Sequence, residues 1–177
     1  LHRCLSGQGY HKGGVTPSIS PSMDIQVSSN FERALFDAYD RDAGAVAQLM
    51  DELGQGGFDV SQGAMQALQD TYRSGRASEE ETSATITDRR RTTGELLCPH
   101  SAVGVKVADE LRDPATPMVT LATAHPAKFP DAVEAATGIR PPLPPRMADL
   151  FDREERFTRL PNDLDALKAH IKGNLPA

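Results

Sequence analysis

Apolar residues recur at helical spacing through most of the chain. Phe31, Leu35 and Tyr39, with Ala34 and Ala38, form one stripe, and Ser29 with Glu32 has capping-box spacing at its start. A second helix follows Asp42, carries Val46, Leu49, Met50 and Leu53, and is ended by Gly54, Gly56 and Gly57. A third runs from about Ser61 through Met65, Leu68 and Tyr72, stopping near Gly75. Ser78 and Glu81 make another capping box. The helix it opens has Glu79, Glu80 and Glu81 early and Arg89, Arg90 and Arg91 late, which complements the helix dipole, and Gly94 terminates it. Pro99 suits the first turn of a helix lined by Val103, Val107 and Leu111. Pro130 and Asp131 lead into a helix that Gly138 stops, and Asn162 is expected to cap a closing helix with Leu164, Leu167 and Ile171 on its inner face.

Between the helices the pattern changes. Leu1 to Thr16 is a glycine-rich loop, and Ser18 to Val27 reads as extended and polar, with Pro17 and Pro21 excluding helix. Met118 to Thr123 is the clearest strand, and Phe157 to Leu160 is expected to be a second, short one. A lone strand cannot satisfy its own backbone, so Met118–Thr123 is expected to join a sheet whose other strands lie elsewhere. Gly138 to Arg146 is a proline-rich connector, read as a stiff linker in preference to a PxxP ligand.

At 177 residues the chain is one large domain or a piece of a larger protein. With 38% hydrophobic residues and no Trp, an independent core would be thin. The net charge of −6 argues against nucleic acid as a partner, and no apolar run has the length of a membrane span. Cys4 and Cys98 form no CxxC pair and read as free thiols of a reducing, cytoplasmic setting. His100 and His125 have no Cys or carboxylate at ligand spacing, so no metal site is expected. The text starts at Leu1 as though in mid-element, which reads as a segment boundary.

Candidate chemistry begins at Thr123. A small hydroxyl side chain at the end of a core strand, facing a helix start, can hold a polar ligand atom with little freedom. His100, at a helix start, either contacts an anion or caps and packs. On spacing alone Asn30 and Arg33 do no more than cap and solvate a helix.

Several long, irregular stretches resemble threonine synthases. They are Ser20-Pro-Ser-Met-Asp-Ile-Gln-Val-Ser-Ser-Asn-Phe-Glu-Arg33, Cys98-Pro-His-Ser-Ala-Val-Gly104, Leu121-Ala-Thr-Ala-His-Pro-Ala-Lys-Phe-Pro130 and Leu160-Pro-Asn-Asp-Leu164. The last, with the preceding Pro-Pro-Arg-Met-Ala-Asp-Leu150, is similar to the closing part of bacterial members. The resemblance implies an α/β fold: the C-terminal part of a tryptophan-synthase-β-like (fold type II) pyridoxal-phosphate enzyme, mostly helices with one or two strands completing a sheet. It implies a lyase converting O-phosphohomoserine and water to L-threonine and phosphate, the last step of threonine biosynthesis, with pyridoxal 5'-phosphate as cofactor. Thr123 matches the hydroxyl residue that meets the cofactor's ring nitrogen. Asp24, Asn30, Arg33, His125 and Lys128 lie in the matching blocks as substrate-contacting or site-lining residues, Arg33 and Lys128 as phosphate contacts or as partners of Asp24 or Glu32. Family members often carry an acid at the position of Cys98 and a Thr at that of Ser101.

Neither the Schiff-base lysine motif nor the glycine-rich loop for the cofactor phosphate occurs here. The expectation is that both lie upstream, that the partner of this segment is the N-terminal part of the same enzyme, and that the segment alone is inactive. Residues 1–138 would then complete the cofactor-binding region, 139–146 would connect, and 147–177 would form a C-terminal strand–helix extension. The alternatives are another lyase of the same fold, and a non-catalytic binding or regulatory module descended from the enzyme.

Overall fold

A computed structural model describes residues 1–175. The chain divides into two compact units, Leu1–Pro142 and Leu143–Ala177.

The first unit holds six α-helices: α1 (Phe31–Ala38), α2 (Ala43–Gln55), α3 (Gln62–Thr71), α4 (Glu79–Thr93), α5 (Pro99–Leu111) and α6 (Pro130–Thr137), besides the short helical turns Cys4–Gln8, Pro21–Met23 and Pro126–Lys128. Local capping explains most of their boundaries. The Asp42 carboxylate accepts from the backbone N–H groups of Gly44 and Ala45, and the Ser61 hydroxyl accepts from that of Ala64. At α4 the reciprocal box forms as expected between Ser78 and Glu81. Gly94 and Gly138 close α4 and α6 in the left-handed conformation, at φ 78° and 71°.

The start of α1 differs from expectation. Ser29 is not its cap and no Ser29–Glu32 box forms; the helix begins at Phe31, after Asn30. The approach is held from outside instead, because the Ser28 N–H donates to the Tyr10 hydroxyl at 2.6 Å. Tyr10 belongs to the short strand β1 (Tyr10–His11), which pairs antiparallel with β2 (Gly57–Phe58) in the register Tyr10↔Phe58. Neither strand is legible in the glycine-rich text around it. Gly57 sits at φ 152°, and a Cβ there would lie 2.6 Å from the Tyr10 carbonyl, so only glycine fits this crossing.

Around that crossing lies the main core: Cys4, Tyr10, Phe31, Leu35, Leu49, Leu53, Phe58 and Leu68. Tyr10 meets Phe31 and Phe58 edge-on, with ring centroids 5.4 and 5.5 Å away. A second packing centre joins α4, α5 and α6 through the fully buried Ile86, Ala102 and Val133. Its rim is polar: Lys106 on α5 pairs with Glu81 and Glu110, and Arg89 pairs with Asp109. Of the other late arginines of α4, Arg90 donates to the Gly94 carbonyl and Arg91 pairs with Asp88, so the run serves the helix end.

Two apolar segments of this unit differ from the expected pattern. Met118–Thr123 forms no strand within the described residues, and Val119 and Leu121 are 80% and 76% exposed. Among the described residues no second strand pairs with its backbone. On α5 the buried surface is the first turn, Pro99 to Ala102, whereas Leu111 is exposed.

The second unit has two short 3-10 turns, Pro145–Met147 and Leu150–Asp152, and the helix α7 (Leu164–Gly173). Asp163 caps α7 in place of Asn162, accepting from the Ala166 N–H at 2.8 Å. Phe157–Leu160 is not a strand, and Leu164, Leu167 and Ile171, the expected inner stripe of α7, are exposed.

Candidate functional site

The first turn of α5 is the meeting point of the site. Cys98 precedes it and Pro99 occupies its first position, which aims the backbone N–H groups and the side chains of His100 and Ser101 inward. The Cys98 sulfur accepts from the Ser101 N–H at 3.4 Å, taking the role an acid or hydroxyl usually plays at a helix start. Cys98, His100 and Ser101 are all buried.

His100 and Ser101 each hold a distant segment. The Ser22 N–H donates to His100 Nε2 at 3.0 Å, and the Thr123 N–H donates to Ser101 Oγ at 3.2 Å. Because Ser22 contributes a donor, Nε2 is the unprotonated nitrogen and the ring hydrogen sits on Nδ1. Nδ1 is buried and finds no hydrogen-bond partner among the described residues. The Phe129 ring lies 4.5 Å from the imidazole, tilted by 48°. Burial pushes the His100 pKa below its ordinary value, the Lys128 charge pushes the same way, and Asp24 opposes them.

The loop that reaches His100 is braced internally. Asp24 accepts from the Ser18 N–H at 2.8 Å and from the Ser18 hydroxyl at 2.7 Å, and the Ser18 and Ser20 hydroxyls are 3.1 Å apart. Asp24 therefore shapes its own loop and pairs with neither Arg33 nor Lys128. Beside it opens a cavity of about 470 Å³ lined by Ser18, Ser20, Ser22, Asp24, Arg76 and Glu79, among others.

Thr123 is exposed, and its hydroxyl makes no hydrogen bond to the described residues. His125 caps the following turn (Pro126–Lys128), its Nδ1 accepting from the Ala127 N–H at 3.1 Å. Lys128 is exposed. Asn30 and Arg33 stand elsewhere, on a separate cavity of about 430 Å³ with Phe36 and Val46.

The structure thus gathers three of the four blocks singled out in the sequence, around residues 18–24, 98–101 and 123–129. A family model described as "Threonine synthase, C-terminal" matches residues 101–171. The threonine synthase of Pseudomonas aeruginosa is 49% identical over 97% of the chain. The solved structure of PLP-bound threonine synthase from Brucella melitensis superposes with a TM-score of 0.88 at 50% identity, over 98% of the chain. The chain belongs to the threonine synthase family.

It corresponds to the C-terminal portion, spanning 37% of the length of the Pseudomonas relative and 38% of the Brucella chain. The threonine synthase from yeast matches with a TM-score of 0.82 at 30% identity, covering 97% of this chain and 39% of its own.

The sequence leaves His100 between an anion contact and a packing cap, and it assigns no role to Ser22 or Ser101. His100 has the look of an ordinary helix-start residue. The available signal was Cys98-Pro-His-Ser itself, which sets two polar side chains one after the other in a helix turn opened by proline.

Proposed function

We propose that the protein containing this chain is a threonine synthase in activity as well as in family: a pyridoxal-phosphate-dependent lyase that turns O-phosphohomoserine and water into L-threonine and phosphate. The observation that carries this reading is Thr123, whose backbone is tethered to Ser101 while its hydroxyl is exposed and unengaged. That combination fits a side chain kept for a ligand atom.

When bound, pyridoxal phosphate supplies the electron sink for removing the α and β protons, losing the γ-phosphate and adding water. Thr123 gives the ring nitrogen a neutral hydrogen-bonding partner, which does not hold that nitrogen protonated as a carboxylate would. Ser101 fixes the Thr123 main chain, and so limits where the hydroxyl can sit. Lys128 and Arg33, both exposed cations, are the phosphate-contact candidates, with Asn30 beside Arg33. His125 orders the turn that presents Lys128, and Asp24 orders the serine loop. The Schiff-base lysine is assigned to the remainder of the enzyme, with this segment alone inactive. The free, buried thiols of Cys4 and Cys98 and the likeness to bacterial relatives support a cytoplasmic bacterial setting.

The test uses the full-length protein loaded with pyridoxal phosphate. Thr123→Val should lower turnover of O-phosphohomoserine about 10- to 100-fold, the equivalent of one hydrogen bond to a polar or charged partner. It should also shift the cofactor's absorbance, with Thr123→Ser retaining both. An unchanged spectrum and rate in Thr123→Val would remove the assignment.

A further inference from the structure

We infer that His100 is a positioning residue, which registers the serine loop at Ser22 against the α5 turn that holds Thr123, and that it works only with Nε2 unprotonated. The inference deepens the reading above and rests on it for its effect on turnover; the tether itself rests on geometry alone.

Three observations carry it. The Ser22 N–H to Nε2 bond joins residues 78 apart in sequence, whereas the next residue, Ser101, takes the Thr123 N–H. Adjacent side chains of one helix turn therefore hold two separate blocks. Second, His100 is 6% exposed and its ring packs on Phe129, so it has little freedom to move away from Ser22. Third, its Nδ1–H is buried without an acceptor among the described residues, a situation that costs about 1–3 kcal/mol. An apolar side chain would avoid that cost while filling the same space. What a histidine adds is the acceptor at Nε2.

The chemistry of the bond gives it a direction with pH. A proton on Nε2 sets an N–H against the Ser22 N–H, two donors facing one another, and the tether opens. The charged groups that act on the ring are Lys128, from the turn before α6, which disfavours the proton, and Asp24, from the serine loop, which favours it. The tether is accordingly closed at neutral pH and opens in acid.

The experiment compares His100→Phe, which keeps a ring against Phe129 but removes the acceptor, with His100→Gln, which keeps an acceptor near the position of Nε2. Both are made in the full-length protein. In the cofactor-free form, hydrogen exchange at the peptide containing Ser22 should accelerate about 10-fold or more in His100→Phe, as expected for one lost hydrogen bond, and much less in His100→Gln. With cofactor bound, His100→Phe should lower kcat about 10-fold, with a smaller change in KM. His100→Gln should restore most of that rate and lose the acid limb of the kcat profile that belongs to His100.

Wild-type exchange at Ser22 in His100→Phe would overturn the inference. So would equal losses in both variants, in step with their melting temperatures, because a purely structural role does not distinguish Gln from Phe. Thr123→Val separates the two readings. If it perturbs the cofactor spectrum while His100→Phe leaves exchange and rate unchanged, the present inference fails alone. If Thr123→Val changes nothing, the ring-contact assignment fails, and exchange at Ser22 still decides the tether.

Discussion

The backbone N–H of Thr123 and the hydroxyl of Ser101 are 3.2 Å apart, and they link an exposed segment to the buried first turn of α5. The same hydroxyl lies 3.2 Å from the Cys98 sulfur, so it can accept from Thr123 and donate to Cys98 at once. The bond acts on the main chain and leaves the Thr123 hydroxyl unengaged.

Ser101→Ala in the full-length protein should therefore release the Thr123 amide to faster exchange and lower kcat/KM about 10-fold, the effect of one hydrogen bond. Ser101→Thr keeps the hydroxyl and should be close to wild type. Equal activity of Ser101→Ala and wild type would show that Thr123 is held by other means.

Met118, Val119 and Leu121 expose apolar side chains on a segment whose amides have no strand partner among the described residues. An extended run of this kind is stable when a neighbouring strand takes its backbone groups. Amides 118–122 are expected to be protected from exchange in the full-length protein and to exchange rapidly in the isolated 177-residue chain. Rapid exchange in both would rule out a sheet partner from the rest of the protein.

None of the lysines Lys12, Lys106, Lys128, Lys168 and Lys172 lies in the motif expected around the cofactor's lysine. Lys106 is committed to Glu81 and Glu110, and Lys12 donates to the Gly54 carbonyl at 3.4 Å. Borohydride reduction of the loaded full-length protein, followed by peptide mapping, should leave all five unlabelled. A label on Lys128 would mean that this segment carries the covalent link itself.

The box at the start of α4 predicts a pH effect. The Glu81 carboxyl is held below its ordinary range, first by the Ser78 N–H and then by Lys106. A carboxylate favoured in the folded state stabilises above its unfolded pKa of about 4.3, and that contribution is lost as pH falls through the lower folded value. Chemical denaturation from pH 6 downward should show a shallower decline for Glu81→Gln than for wild type. Ser78→Ala, which removes the cap, should cost about 1 kcal/mol at neutral pH.

Residue types at short spacing were enough to place most helices. Asp42, Ser61, Ser78 with Glu81, Gly94 and Gly138 act on backbone groups within about four residues of themselves, so their effect is encoded where they stand. The long irregular blocks were equally legible, and they carried the family. The caps of α1 and α7 were misplaced because several polar residues stood side by side. At α1 the choice was made by Tyr10, a residue from another element.

What only the tertiary structure decided is how those blocks meet. The pairing of β1 with β2, the Ser22–His100 bond and the Thr123–Ser101 bond depend on the path of the chain between their ends. The same reason explains the expected strands that did not form. An apolar, strand-like segment announces itself in sequence, but a strand exists only where a second backbone supplies the partner groups, and among the described residues Met118–Thr123 and Phe157–Leu160 have none.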